Sequence, residues 1–204
     1  MQGIKAIIFD FGGVIFDIDF SKTNKAFTEF GVHNFEQMYS QKNANSLFQH
    51  LEQGKINEAE FYNEFRNETE LSLTDDQIKI AWNALLLSYR KEALETLKGL
   101  RSKYKLYLLS NTNFIHHRKF NETYNDEIGI GSLDNYFDKA YYSHQIGFRK
   151  PDKEAYEFVI KDNNLIPSQT LFIDDTIENI EGAKAVGLQT VLLQRGMKIE
   201  ELGL

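Results

Sequence analysis

Four polar segments carry residues whose types can do chemistry, and each follows an apolar run. They are Asp10 with the glycines Gly12 and Gly13, Ser110-Asn111-Thr112-Asn113, Gly147-Phe148-Arg149-Lys150-Pro151, and Asp174-Asp175-Thr176. Asp10 ends the run Ile4–Phe9 and precedes a glycine turn, which places it at the C-terminal mouth of a strand, where open α/β sheets bind ligands. A carboxylate there costs free energy unless it meets a metal or a substrate. The set suits phosphoryl transfer. A carboxylate approaching a phosphate dianion is repelled, and a divalent cation between them relieves the repulsion. Mg²⁺ takes oxygen ligands and keeps several waters, so Asp10, Asp175 and the Gly12 carbonyl are sufficient protein ligands. Ser110 and the Asn111 backbone N–H can donate to phosphate oxygens, and Lys150 supplies a positive charge for both nucleophile and transferring group.

The elements that must position these residues follow from periodicity. Short β-rich segments occur at Lys5–Phe11, Lys105–Ser110, Lys139–Ser143, Thr170–Asp174 and Thr190–Leu193, and helical stretches such as Asp152–Asn163 and Ile177–Val186 separate the last four. This alternation predicts an α/β fold with a parallel sheet, helices on both faces, and strand C-termini gathered at one edge. Residues Ser21 to Tyr89 contain no convincing strand and read as amphipathic helices. Gly31 is a plausible helix stop, while Thr74-Asp75-Asp76-Gln77 and Asn57-Glu58-Ala59-Glu60 have the form of helix starts. Pro151 and Pro167 each lie beside a helix or strand start. The expected partition is a core of residues 1–18 and 91–204, with residues 19–90 inserted as a helical domain.

Composition narrows the function classes. The 204 residues are 42% hydrophobic and 26% charged, ordinary values for a globule. A net charge of −7 argues against nucleic acid or an anionic membrane as partner, since both favour a basic surface. Without cysteine there is no disulfide, thiolate metal site or Cys nucleophile. The N-terminal segment does not read as a signal peptide, because Asp10 interrupts its apolar stretch. No apolar run approaches the ~20 residues that span a bilayer, so a cytoplasmic protein is expected.

The order Phe-Asp-x-Gly-Gly-Val, Leu-Ser-Asn-Thr, Arg-Lys-Pro, Phe-Ile-Asp-Asp-Thr-x-x-Asn-Ile-x-Gly-Ala resembles the four motifs of the haloacid dehalogenase-like (HAD) hydrolase superfamily, from Ile7 to about Leu193. The resemblance implies a Rossmann-like core and a helical cap closing over the site. Asp10 matches the nucleophile that forms an aspartyl-phosphate, with Lys150 as its catalytic partner. Ser110, with Asn111, and Lys150 match the phosphate-binding second and third motifs. Asp175 matches the metal-binding acid, and Asp174 either reaches the Mg²⁺ through water or orients Lys150. Within the superfamily, the first motif and Ser110-Asn111-Thr112-Asn113 look closest to bacterial phosphatases of the α-D-glucose-1-phosphatase type.

Gly12 stands where most relatives carry a second Asp, which protonates the leaving alcohol and later activates water. A glycine can do neither, and general-acid help matters least for a good leaving group such as an anomeric oxygen. The expected activity is therefore Mg²⁺-dependent hydrolysis of a small sugar phosphate such as a hexose 1-phosphate. Alternatives are a 2-haloacid dehalogenase and a weakly catalytic phosphometabolite-binding protein. Asp17 and Asp19 read as exposed hinge residues, His116-His117 as a helix surface pair, and Glu58–Glu64 as a solvated helix face. Phe27, Phe30, Phe35 and Tyr39 read as packing within the insert.

Overall fold

The computed structural model describes residues 3–40, 44–194 and 196–204. The chain begins with β1 (Ala6–Phe9) and β2 (Phe16–Ile18), then enters a helical stretch. That stretch comprises α1 (Phe20–Glu29), α2 (Phe35–Met38), α3 (Ser46–Glu52), α4 (Glu58–Thr69) and α5 (Asp75–Asn83). It returns through β3 (Leu86–Tyr89) and α6 (Lys91–Leu100) to β4 (Lys105–Ser110), α7 (Phe114–Glu127), β5 (Lys139–Tyr142) and α8 (Ser143–Ile146). The chain closes with α9 (Lys153–Asp162), β6 (Thr170–Asp174), α10 (Ile177–Ala185) and β7 (Gln189–Leu192). No helix is long and apolar enough to cross a membrane among the described residues.

Five strands form one parallel sheet in the order β5-β4-β1-β6-β7. Alternate residues of each strand face opposite sides, and the two side-chain sets bury different helices. Ile7, Phe9, Leu106, Leu108, Leu171 and Ile173 pack with Leu94 and Leu97 of α6 and Phe120 of α7. Ala6, Ile8, Tyr107, Leu109 and Phe172 pack with Tyr156 and Val159 of α9 and Ile180 and Ala183 of α10. β1 is therefore apolar on both faces, as a central parallel strand must be. Each fully buried Ile or Phe there contributes roughly 1.5–3 kcal/mol of transfer free energy. Phe11 lies just beyond β1, where the backbone turns through Gly13 at φ +74.

The helical stretch has its own aromatic centre, with Phe27, Phe35, Phe48, Phe61, Phe65 and Trp82 fully buried. Capping boxes start α4 at Asn57/Glu60 and α5 at Thr74/Gln77, and α1 stops just before Gly31, at φ +93. One expectation fails: Leu86–Tyr89 is a strand. It pairs antiparallel with Phe16–Ile18, between Phe16 and Tyr89 and between Ile18 and Leu86. Its apolar run directly follows α5 and reads locally as more helix. Only a partner distant in sequence selects the strand.

The α10 glycine of the fourth motif has a packing role. A Cβ on Gly182 would collide with the Pro151 carbonyl and crowd Tyr156, so α10 reaches the Lys150–Pro151 segment, whose peptide bond is cis, only without a side chain. Ala usually gains about 1 kcal/mol over Gly in a helix. Gly182→Ala is nevertheless expected to destabilise the protein by about 1–3 kcal/mol through this overlap. Thermal unfolding of the variant checks the sign, and a raised Tm would contradict this account.

Candidate active site

Lys150 is 1% exposed, and its ammonium lies between two carboxylates. Nζ donates to Asp10 Oδ1 at 2.6 Å and to Asp174 Oδ2 at 2.7 Å. β1 and β6 are neighbours, and the Asp10 N–H donates to the Ile173 carbonyl at 2.9 Å, so both acids leave the sheet side by side. Asp174 also accepts from the Thr176 N–H at 2.8 Å and from Asn179 Nδ2 at 3.0 and 3.1 Å. It is thus bonded directly to the Lys150 ammonium. The Asn111 side chain clamps the Lys150 backbone, accepting from its N–H at 2.8 Å and donating to its carbonyl at 2.7 Å. That use of the Asn111 amide was invisible in sequence, because its partner lies 39 residues away.

The third acid completes the cluster. Asp10, Asp174 and Asp175 each offer a carboxylate oxygen, and these oxygens lie within 4.8 Å of one another. Gly13 is the approach point, since a Cβ at its positive φ would run into the Asp175 carboxylate. Burial pushes the Asp10 carboxyl up to about 7 against the pull of Lys150, with Asp174 and Asp175 adding to the rise. Burial, then Asp174, also raises Asp175. For Lys150, burial acts downward but is outweighed by Asp10 and Asp174, which hold the amine above its ordinary range. One ammonium faces three carboxylates, an excess of negative charge in a poorly solvated place. An oxygen-coordinated divalent cation fits that imbalance.

A cavity of about 290 Å³ opens onto these groups. Asp10, Gly12, Ser110, Asn111, Lys150 and Asp175 line its floor, while Tyr39, Gln49 and Glu52 form a wall from the helical insert. Every site residue anticipated from sequence except buried Asp174, which stands behind Lys150, lines this cavity. Arg90 was not anticipated. Its Nε donates to Asp17 at 2.7 Å and its Nη1 to the Gly13 carbonyl, fastening the turn after Asp10 to the returning chain. Asp17 is thus an anchored, half-exposed residue, and Asp19 caps α1 through the Ser21 N–H.

Two other expectations change. His116 is buried at the cavity rather than on a helix surface, with its ring stacked on Trp82 at 4.3 Å. Nε2 lies 3.0 Å from the Trp82 carbonyl, which can only accept, so Nε2 carries the proton and Nδ1 accepts from Asn113 Nδ2 at 3.2 Å. Burial lowers its pKa to about 4. This saturated, neutral imidazole cannot supply the proton that Gly12 lacks. His117 is half-buried against Phe120 and Tyr142. Adjacent helical positions point in different directions, so the pair never acts as a unit. Glu58 is likewise no purely solvated residue: it accepts from Tyr62 at 2.7 Å and pairs with Arg118 of α7 at 3.0 Å.

Removing one partner of a buried ion pair strands the other charge. Lys150→Met is expected to cost about 3–5 kcal/mol in urea unfolding with chelator present. Undiminished stability would mean that the lysine is not electrostatically required. His116 gives a pH dependence of known sign. Its folded pKa lies below the 6.5 of the free side chain, so the unfolded state binds the proton first as pH falls. Stability is lost from about pH 6.5 downward to about pH 4, by up to about 3 kcal/mol. The difference between wild type and His116→Asn across that range isolates this contribution from the opposing one of Asp10. A constant difference would refute it.

Similarity to known proteins accords with this geometry. The family model for haloacid dehalogenase-like hydrolases matches residues 4–187. A D-ribitol-5-phosphate phosphatase of Bacteroides thetaiotaomicron is 38% identical over 194 residues, covering 95% of this chain and 93% of the relative. A sesquiterpene phosphatase of Aspergillus oryzae is 27% identical, covering 90% and 87%. A HAD family enzyme of Bacteroides thetaiotaomicron, crystallised as wild-type protein with magnesium and inorganic phosphate, superposes with TM-score 0.87 at 32% identity, covering 98% and 99% of the two chains. With a model spanning nearly its whole length and a relative this similar end to end, the chain belongs to the haloacid dehalogenase-like hydrolase family.

Proposed function

We propose that this protein is a Mg²⁺-dependent phosphatase of a small, polyhydroxylated phosphate ester, and that it works through an aspartyl-phosphate on Asp10. The observation that carries this reading is the Lys150 ammonium, held between Asp10 and Asp174 at the floor of the cavity. A Mg²⁺ held by Asp10, Asp175 and the Gly12 carbonyl would supply charge neutralisation between nucleophile and phosphate. The relatives crystallised with magnesium and inorganic phosphate support that assignment.

The chain's own residues do the rest. Lys150 fixes the Asp10 carboxylate, and its charge stabilises the transferring group. Ser110 and the Asn111 N–H meet the phosphate oxygens. An Asp10 oxygen bonds to phosphorus as the bond to the ester oxygen breaks, and the alkoxide leaves and takes a proton from water. A second water then attacks the acyl phosphate and gives a proton to the hydroxide left by the first, releasing inorganic phosphate and restoring Asp10. Residues 19–90 act as a cap that restricts access to small substrates, and a cytoplasmic setting suits a phosphorylated metabolite.

Two observations bear on which ester. Gly12 carries no acid and His116 has both ring nitrogens occupied, which favours a leaving group that needs no protonation, such as the anomeric oxygen of a hexose 1-phosphate. The ribitol-5-phosphate phosphatase relative instead favours the terminal phosphate of an open-chain polyol. Dehalogenase relatives share the fold, for example the L-2-haloacid dehalogenase of Xanthobacter autotrophicus, with TM-score 0.63 at 20% identity. Dehalogenation is disfavoured because Asp174 and Asp175 beside Asp10 would repel a carboxylate substrate.

Phosphate release from hexose 1-phosphates, pentitol 5-phosphates and hexose 6-phosphates, with and without Mg²⁺, tests the reading. Turnover should require Mg²⁺ and fall by at least about 10³-fold in Asp10→Asn. Retained Mg²⁺-dependent turnover in that variant would sink the mechanism. Equal rates on anomeric and primary esters would remove the leaving-group argument alone. Chloride release from a 2-chloro acid would reinstate the dehalogenase, and acyl-phosphate formation without turnover would indicate a binding protein.

A further inference from the structure

The helical insert meets the core through two contacts of opposite character. Beside the returning strand the buried part of the contact is apolar, with the ion pair of Glu58 and exposed Arg118 at its edge: Ile115 of α7 belongs to the insert's own cluster, and Trp82 stacks on His116. Across the cavity the contact is ionic. Glu52, at the end of α3 and 3% exposed, accepts from Arg149 Nε at 2.9 Å and from the Tyr39 hydroxyl at 3.0 Å. Just beyond it, Gly54 sits at φ +64 so close to the His144 carbonyl that a Cβ there would overlap the oxygen. The Glu52 and Gly54 contacts land on the stretch from α8 to Lys150, whereas the apolar contact lands on α7.

That stretch is otherwise fastened to the end of β4. Ser143 Oγ accepts from the Thr112 N–H and donates to the Thr112 carbonyl, both at 2.9 Å, and Asn111 clamps the Lys150 backbone. Arg149, between these ties, has its Nε on Glu52. A carboxylate this buried, facing a cavity already rich in negative charge, is tolerable only while the guanidinium stays on it. Glu52 and Arg149 therefore stay together, and one peptide bond links Arg149 to the clamped backbone of Lys150.

We propose that Glu52 is a positioning residue for the phosphatase reaction. From the insert it fixes Arg149, and through the adjoining peptide it fixes Lys150 against Asp10, so that a seated insert and an aligned lysine are one state. This rests on the phosphatase reading for its kinetic readout. The seating has an independent one, because Trp82 is the only tryptophan in the chain and lies at the insert–core contact.

The decisive variant is Glu52→Gln, which keeps the shape and removes the charge. Its kcat should fall about tenfold on a polyol phosphate and on acetyl phosphate alike, with KM little changed, as expected of a small misplacement of a catalytic group. Acrylamide quenching of Trp82 fluorescence should increase. Glu52→Asp should recover part of both losses, and Glu52→Gln combined with Arg149→Met should be no worse than the poorer single variant. Should Glu52→Gln fail to fold, Arg149→Lys decides the same question, since it keeps the charge and loses the Nε donor: kcat must fall with KM unchanged. A rise in KM confined to the polyol phosphate would make Glu52 a reader of substrate hydroxyls and overturn the proposal. So would a lowered Tm with unchanged kcat, or additive effects in the double variant. Absence of any wild-type phosphate release would instead count against the phosphatase reading, and unchanged Trp82 quenching in the variants against the seating.

Discussion

The architecture depends on one ammonium group. Lys150 is removed from water, and its charge is tolerable only because Asp10 and Asp174 meet it at 2.6 and 2.7 Å. Bringing those groups together requires two adjacent parallel strands to end at the same level, which the β1–β6 pairing provides. It also requires the Lys150 loop to come down onto the sheet edge. The Asn111 amide holds the loop from one side, and the bare Gly182 on α10 makes room from the other. The same lysine leaves an unbalanced negative charge, and that excess makes the place receptive to a cation.

Much of this was legible in the chain. The parallel sheet followed from apolar segments alternating with helical ones, and those segments correspond to β1, β4, β5, β6 and β7 with ends shifted by a residue or two. Asp10, Ser110 and Asp174 stood out because an apolar run that stops at a polar residue marks a strand mouth, and Lys150 because of the Gly-x-x-Lys-Pro segment around it. Local signals were dependable for caps as well: both capping boxes formed where Thr74 and Asn57 placed them.

What escaped reading depends on partners far away in sequence. Leu86–Tyr89 is a strand only because Phe16–Ile18 is there to pair with it. His116 is buried only because Trp82 lies over it, and Glu52 is an interior residue only because Arg149 answers its charge across 97 positions. No window of sequence contains such a pairing. Burial of a polar side chain is decided by tertiary context, whereas periodicity and capping are decided within a few turns of backbone.

The antiparallel pair β2–β3 and the Arg90–Asp17 bridge tie the outgoing and returning strands of the helical insert into a single narrow neck. The insert has its own aromatic interior, to which the core adds Ile115 of α7. A module joined in this way has both its crossings to the core side by side. Another helical unit of different cavity shape grafted at the same neck must also bring a carboxylate to Arg149 if the lysine below is to stay in place. Diversification then proceeds by replacing a wall while conserving the foundation.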